Sequence, residues 1–203
     1  MGYILVFDGE LVLDKLRHSM VRPQREKLSG AIEVDETYVG GEKPGKRGRG
    51  AEGKDIVLIA AERDKKGIGR IRLAHIPDVT SEVLEEKIES FINARSMIIT
   101  DGWRGYSGLS KKGYGHQELR SYDGIGDDML PNCHRVASLL KRWIMGTLQG
   151  AFRSEHLQDY LDEFPFRFNR RKSKSRGKLF YRLAQQAVQV EAVPYSEITK
   201  HNI

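Results

Sequence analysis

The order of the apolar segments most constrains what this chain can fold into. Three strand-like segments follow one another directly, and helix-like and strand-like segments alternate after them. The strand candidates are 31–35, which ends at Asp35 within AIEVDETYVGG, DIVLIAAERD (55–64), GRIRLAHIPD (69–78), 96–101, which ends at Asp101 within SMIITDGW, and the short GHQELRS (115–121). The helix candidates are residues 80–92, 133–148, 154–169 and 177–188. A strand meander followed by helix–strand alternation predicts an α/β fold in which helices cover the faces of a mixed sheet.

Composition narrows the class of protein. The 203 residues fit one domain, and 39% hydrophobic with 31% charged residues is typical of a globular protein with a real core. A net charge of +6 points to an anionic partner, nucleic acid first, and leaves a merely soluble basic protein as an open alternative. No run approaches the ~18 apolar residues that cross a membrane, and a secretory leader is missing, so we expect a cytoplasmic protein. The only cysteine, Cys133, excludes an internal disulfide and a cysteine-based zinc ribbon within this chain.

Breaks in the pattern separate the elements. Residues 11–27 have helical spacing of apolar side chains, and we expect Pro23 to end that helix. The Gly- and Lys/Arg-rich stretch 40–54 predicts a polar hairpin loop, and KKG at 65–67 predicts a tight turn. Pro165 is expected to interrupt the helix at 154–169.

Two aspartates stand in the same local context. Asp35 and Asp101 each follow an apolar run and precede a glycine-containing turn, so we expect each to end a strand. If the two strands are neighbours, both carboxylates can bind Mg²⁺, which prefers oxygen ligands. A pair of such ions could serve phosphoryl transfer. The alternative is ordinary turn chemistry, in which each aspartate caps local amides; the matching contexts favour the metal site.

The helix that opens at LPNCHRV offers a third ligand. His134 lies near its N-terminus, and Lys141 follows two turns later on the same face. A neutral imidazole binds Mn²⁺ or Zn²⁺ more readily than Mg²⁺, and Lys141 and Arg142 could contact DNA phosphate. For His134 alone, an ordinary half-buried histidine is the simpler interpretation.

The segment 166–182 interleaves cations with four aromatic residues. We expect the aromatics to pack in the core and the cations to neutralise DNA phosphates. The predicted DNA contacts are Arg170, Arg171, Lys172, Lys174 and Arg176. KPGKRGR (43–49) is a candidate for a second phosphate-contacting loop.

Four motifs extend this interpretation: VDETYVGG, TDGWRGY, SLLKRW followed by GT-x-QG, and YLDEFPFRFNRR. From about Gly30 to Val188 the chain resembles bacterial insertion-sequence transposases of the DDE superfamily, which have a ribonuclease-H-like fold. The resemblance implies that Asp35 and Asp101 lie on adjacent strands and bind the catalytic metals. The third acid of this family precedes a basic residue by seven positions, and His134 stands at its place here, seven residues before Lys141. We interpret His134 as a tolerated variant of that ligand.

The resemblance also predicts a domain organisation. Relatives usually carry an N-terminal zinc ribbon and helix-turn-helix, and residues 1–28 resemble only the last helix of such a module. Residues 29–190 are then the catalytic domain and 191–203 a tail.

By resemblance the function is that of a transposase that uses Mg²⁺ or Mn²⁺ to cleave insertion-sequence ends and join them to target DNA. The family commonly works as dimers, which implies a homodimer in a nucleoid-associated cytoplasmic protein. Two alternatives stay open: a nuclease of the same fold without strand transfer, and an inactive DNA-binding derivative of a transposase.

Overall fold

The computed structural model describes residues 13, 16–22, 24–40, 54–120, 129–148, 154–175 and 177–190. The chain divides into two compact units, each taken by itself below. The sheet unit is Glu26–Leu157, and the helical unit combines Met1–Arg25 with Gln158–Ile203. The predicted domain boundaries at residues 28 and 190 stay a prediction.

The described elements follow the predicted order. The strands are β1 (Ala31–Val39), β2 (Asp55–Asp64), β3 (Gly67–Ile76), β4 (Met97–Asp101) and β5 (Gly115–Leu119). The helices are α1 (Ser81–Phe91), α2 (Pro131–Leu148), α3 (Leu157–Phe168) and α4 (Lys178–Ala187). Short 3-10 turns occupy Arg104–Tyr106, Leu109–Lys112 and Ser154–His156. Among the described residues, no helix is long and apolar enough to span a membrane.

The five strands form one mixed sheet in the order β3-β2-β1-β4-β5. β1 pairs antiparallel with β2, and β2 pairs antiparallel with β3. β4 runs parallel to both of its neighbours, β1 and β5. The tight turn predicted between β2 and β3 ends at Gly67, whose φ of +111° lies in a region that favours glycine. The predicted mixed sheet is therefore confirmed.

Successive side chains along a strand point to opposite faces of the sheet, so even-numbered and odd-numbered residues lie on different faces. Even-numbered residues of β1 and β2, such as Ile32, Val34 and Leu58, form a hydrophobic core with Leu84 and Ile88 of α1. Odd-numbered residues of the same strands, such as Val57 and Ile59, are also buried, on the other face. α2 packs against β1 and β2 there, with Cys133 of α2 contacting Ile59. Each face of the sheet is thus covered by its own helix.

Two predicted boundaries were wrong. Asp35 does not end β1, because the strand continues to Val39 and pairs with β2 over that whole stretch. α2 begins at Pro131 rather than Cys133, since proline at the first helical position needs no hydrogen-bond acceptor for its nitrogen.

The helical unit differs from the prediction at Pro23 and at Pro165. Helical conformation at residues 16–18 ends in a turn at Ser19 and Met20, before Pro23, and Gln186 donates hydrogen bonds to both of those carbonyls. α3 continues through Pro165 to Phe168 instead of being interrupted. Buried Phe164 and Phe166 flank this proline, and their packing holds the last turn of the helix.

Candidate active site

Asp35 and Asp101 lie level with each other on adjacent parallel strands. The paired residues of β1 and β4 differ by 66 in residue number, as Ala31 and Met97 do. Asp35 and Asp101 differ by the same 66, so the same register, continued two residues beyond the Glu33–Ile99 pair, sets them opposite each other, and the charge of Asp101 acts on Asp35. Parallel partners direct their side chains to the same face, here the face that α2 covers. The predicted adjacency of the two strands is confirmed.

The carboxyl of Asp35 is crowded with negative charge. Burial, Glu36 and Asp101 raise its pKa from 3.8 to about 6, although a hydrogen bond from the Glu36 backbone N–H and the nearby His134 oppose the shift. The N–H of Glu36 lies 2.9 Å from Asp35 Oδ1 and fixes that side chain on the strand. A bound cation would offset the repulsion that raises this pKa.

The end of β4 positions Asp101. Its Oδ1 accepts a hydrogen bond from the N–H of Trp103 at 3.0 Å, which closes the turn after the strand. The hydroxyl of Thr100 donates to the Asp101 carbonyl at 2.7 Å and lies 2.9 Å from His116 Nε2. Asp101 can therefore both close the turn and serve as a ligand. Its Oδ1 accepts the hydrogen bond of the turn, and its Oδ2 is the second oxygen that a ligand could bind.

His134 reaches the same place from α2. Its Nε2 lies 3.5 Å from Asp35 Oδ2, and half of its side chain is exposed. The fold thus brings a strand residue and a helix residue 99 positions apart into contact, and the role of His134 as a third ligand stays a prediction.

Glu33 is a functional candidate that the sequence interpretation missed. It is fully buried and lies on the same face of β1 as Asp35, two residues away. One of its oxygens accepts a hydrogen bond from Arg63 Nε at 2.8 Å. The other accepts from the backbone N–H groups of Asn132 and Cys133, at 2.8 and 3.1 Å. The available signal was an acidic residue within the otherwise apolar run AIEV.

Glu36, to which the sequence assigned no role, forms a hydrogen bond to the TDGWRGY motif at the end of β4. Its side chain alternates with Asp35, and its Oε1 accepts a 2.7 Å hydrogen bond from the hydroxyl of fully buried Tyr106. Burial and the charges of Glu36, Asp35 and Asp101 hold the pKa of Tyr106 well above its usual value. Tyr106 therefore stays a neutral donor that ties the TDGWRGY motif to β1.

Lys141, a predicted DNA contact, lies close enough to Asp35 for the two charges to interact. Burial and the neighbouring Lys54 lower its pKa, while Asp35 opposes that shift. Lys54 directly precedes β2 and was not among the predicted site residues. Arg142 is exposed on the next position of α2. Lys141 and Lys54 are close enough to repel each other, so together they form a positive surface that can bind an anion.

The predicted C-terminal contacts belong to the helical unit. Arg170 stacks on the Phe166 ring at 3.9 Å and donates to Gln186, and Arg171 stacks on Phe168 at 3.8 Å. Both guanidinium groups are thus used within the unit. Lys172 and Lys174 are exposed. Arg176 and the loop 43–49 lie outside the described residues.

The expectation that the aromatics of this segment are core residues holds for only part of them. Phe166 is buried, whereas Phe180 and Tyr181 on α4 are 74% and 69% exposed. α4 buries Leu183 and Gln186, and Tyr181 falls on the opposite side of the helix, whereas Phe180 lies in the first turn, one turn before Leu183.

The donor chemistry fits a divalent metal, although the ligands are not gathered around one point. Across the part of the chain that the structure describes, no three His, Cys, Asp or Glu side chains are close enough together to hold a metal ion. Asp35 and Asp101 offer the oxygen ligands that Mg²⁺ prefers, and His134 adds a nitrogen that suits Mn²⁺. Burial and the charges of Glu36 and Asp101 disfavour the ionised form of Asp35, and a bound cation would stabilise that form.

The family model of the ISXO2-like transposase domain matches residues 27–169, well over half of the chain. The chain belongs to this family. The membership confirms the resemblance to DDE-superfamily insertion-sequence transposases, and the strand order and directions confirm the predicted ribonuclease-H-like class of fold. No curated protein sequence matches the chain.

Solved structures similar to this ISXO2-like domain include complexes of the Mos1 transposase. The Mos1 strand transfer complex is 14% identical, with a TM-score of 0.38, and the match covers 89% of this chain and 62% of that chain. The mariner Mos1 paired-end complex with Mg is 13% identical, with a TM-score of 0.37, covering 93% and 65%. The corresponding complex with Mn is 13% identical, with a TM-score of 0.39, covering 89% and 60%. This chain thus spans less than two thirds of the length of these Mos1 chains.

Proposed function

We propose that this chain is the catalytic domain of a transposase that cleaves insertion-sequence ends and joins them to target DNA with divalent metal ions. The observation that carries the proposal is the level placement of Asp35 and Asp101 on adjacent parallel strands, with His134 Nε2 3.5 Å from Asp35. Membership in the transposase family supports it.

Asp35 and Asp101 would hold Mg²⁺ or Mn²⁺ through carboxylate oxygens, and His134 would complete the ligand set. Ions bound there would activate an attacking oxygen and stabilise the leaving oxygen of a phosphodiester. Asp101 keeps its direction through the hydrogen bond from the Trp103 N–H. Asp35 keeps its direction through the Glu36 N–H.

The reaction has two steps by this proposal. Water attacks a phosphodiester at the transposon end and releases a 3′ hydroxyl. That hydroxyl then attacks a phosphodiester of the target DNA, so one bond forms as another breaks and no covalent protein intermediate arises. Lys141 and Lys54 would bind the DNA phosphates beside the carboxylates, and Arg142 would extend this contact along α2.

The helical unit would add further phosphate contacts. Exposed Lys172 and Lys174 are the described candidates, and Arg176 continues the same basic segment. Arg170 and Arg171 would contact phosphate while remaining stacked on their phenylalanines, since the planar guanidinium presents edge donors even when its face is covered. Two transposon ends would require two copies of the chain, which is the homodimer that we propose.

The decisive experiment mixes the protein with labelled DNA that carries the element ends, a supercoiled target plasmid and Mn²⁺. Joined products support the transposase. Nicks without joining would instead identify a nuclease, and DNA binding without either product would identify an inactive derivative.

Asp35→Asn and Asp64→Asn form a matched pair for this assay. Both remove one carboxylate, but Asp64 is exposed at the turn between β2 and β3, away from the site face. We expect joining to disappear in Asp35→Asn and to persist in Asp64→Asn. Equal activity of Asp35→Asn and the unaltered protein would refute the catalytic assignment.

A further inference from the structure

Glu33 is a buried acidic side chain with three donors and no contact with solvent. A carboxyl group is costly to bury, and such groups persist where hydrogen bonds compensate the lost hydration. Here the donors come from two different elements. Arg63 belongs to β2, whereas the N–H groups of Asn132 and Cys133 open α2.

Glu33, which lies on β1, accepts the hydrogen bonds that an N-terminal capping residue would otherwise accept at the start of α2. The first amides of a helix have no acceptor within the helix, and a residue just before it usually supplies one. The residue before Pro131 is Leu130, whose side chain cannot accept a hydrogen bond. Glu33 Oε2 takes both amides instead, and its position also suits the positive end of the helix dipole.

We call the hydrogen bonds from the Asn132 and Cys133 N–H groups to Glu33 the Glu33 clamp. This clamp joins β1 and α2, the same two elements that carry Asp35 and His134. β1 carries Glu33 and, two residues later on the same face, Asp35. α2 carries the clamped Asn132 and Cys133 and, as the next residue, His134. The separation between His134 and Asp35 is therefore set by hydrogen bonds one residue away on the helix and two residues away on the strand.

We infer that Glu33 is a positioning residue that holds the first turn of α2 so that His134 stays beside Asp35. This inference rests on the proposed metal-dependent function and adds a residue through which the third ligand acts. It also accounts for the burial of an acid within an otherwise apolar stretch of β1.

The effect of losing the clamp should be local to the first turn. Further along α2, Val136, Leu140 and Ile144 are buried and keep the helix on the sheet. Cys133 Sγ also lies 3.7 Å from the Ile59 carbonyl. The helix as a whole would remain packed while its N-terminal turn, and His134 with it, gains freedom.

Glu33→Gln tests the inference because an amide cannot satisfy both sets of donors. If its oxygen faces the α2 amides, its NH₂ group faces Arg63, and the reverse orientation sets NH₂ against two backbone N–H groups. Arg63→Met is the matched control, since it removes the strand partner and leaves the α2 hydrogen bonds intact. Asn132→Pro removes one clamped N–H from the helix side, at a position where the first turn tolerates proline.

The readout is the Mn²⁺ affinity of the DNA-free protein, measured by electron paramagnetic resonance in a double-mutant cycle with His134→Ala. We expect Glu33→Gln to weaken Mn²⁺ binding roughly tenfold or more when His134 is present, as loss of a ligand-orienting partner typically does. In the His134→Ala background the same change should have little effect. Asn132→Pro should weaken binding in the same direction and Arg63→Met much less, and thermal melts would confirm that each variant is folded.

Different outcomes distinguish a failure of the positioning role of Glu33 from a failure of the proposed metal site. If His134→Ala weakens Mn²⁺ binding but Glu33→Gln and Asn132→Pro do not, the positioning role is wrong and the metal site stands. An equal loss from Glu33→Gln in both backgrounds would also overturn it, because Glu33 would then act independently of His134. If Asp35→Asn leaves Mn²⁺ binding unchanged, the proposed metal site fails and the inference fails with it.

Discussion

Replacing Asp35 by asparagine should stabilise the metal-free protein while it abolishes metal-dependent cleavage. Burial and the negative charges of Glu36 and Asp101 raise the Asp35 pKa from 3.8 to about 6, so the folded state disfavours the ionised form. Asparagine keeps an oxygen that can accept the hydrogen bond from the Glu36 N–H. It removes the charge that the surroundings oppose.

The magnitude follows from linkage. A folded-state pKa above the unfolded value means that stability is lost as the pH rises from about 4 through about 6, and the full penalty applies above that. A shift of about two units corresponds to about 3 kcal/mol at about 1.36 kcal/mol per unit. The side chain is 20% exposed and also contacts His134, so solvent and the lost contact with His134 reduce the expected gain to roughly 1–2 kcal/mol.

The assay is thermal unfolding in a chelator at pH 7.5 and at pH 4.5. Asp35→Asn should melt a few degrees higher than the unaltered protein at pH 7.5, and the difference should shrink at pH 4.5, where the native carboxyl is protonated. Asp64→Asn serves as the control and should show no such pH-dependent gain. A lower melting temperature for Asp35→Asn at pH 7.5 would refute the reasoning, since the acid would then be stabilising without metal.

Three further predictions concern other parts of the molecule. Asp162 of α3 has a pKa raised to about 6, chiefly by burial, so Asp162→Asn should raise the melting temperature at pH 7.5 but not at pH 4.5; a pH-independent effect would contradict this. Tyr106→Phe leaves Glu36 without its 2.7 Å donor and should destabilise the protein by about 1–3 kcal/mol in urea unfolding, whereas an unchanged midpoint would show that Glu36 gains another partner. Lys141→Gln should weaken DNA binding and reduce its salt dependence by about one counterion, measured by fluorescence anisotropy across a salt series; an unchanged slope would exclude a phosphate contact.

Much of the fold could be predicted because its signals are local. The spacing of apolar residues located the start of β1, both ends of the other four strands and both ends of helix α1 to within about two residues, since burial on one face produces the repeat directly. The end of β1 could not be located this way. Pairing with β2 extends the strand past Asp35 to Val39, and pairing depends on a partner that local sequence does not identify.

At the candidate site, too, the sequence determined the features that are local, and the tertiary structure determined those that depend on distant partners. By itself the sequence determined the acids at Asp35 and Asp101, the basic balance and the motifs of the family, because residue type and order are sufficient for these. Only the tertiary structure decided that β1 and β4 run side by side in a register that levels the two carboxylates. It alone showed Glu33 clamping the N-terminus of α2 from about 100 residues away, and Glu36 bound to Tyr106 on the other face. The physical reason is that a buried hydrogen bond is specified by where two distant segments meet, and no periodicity in either segment records its partner.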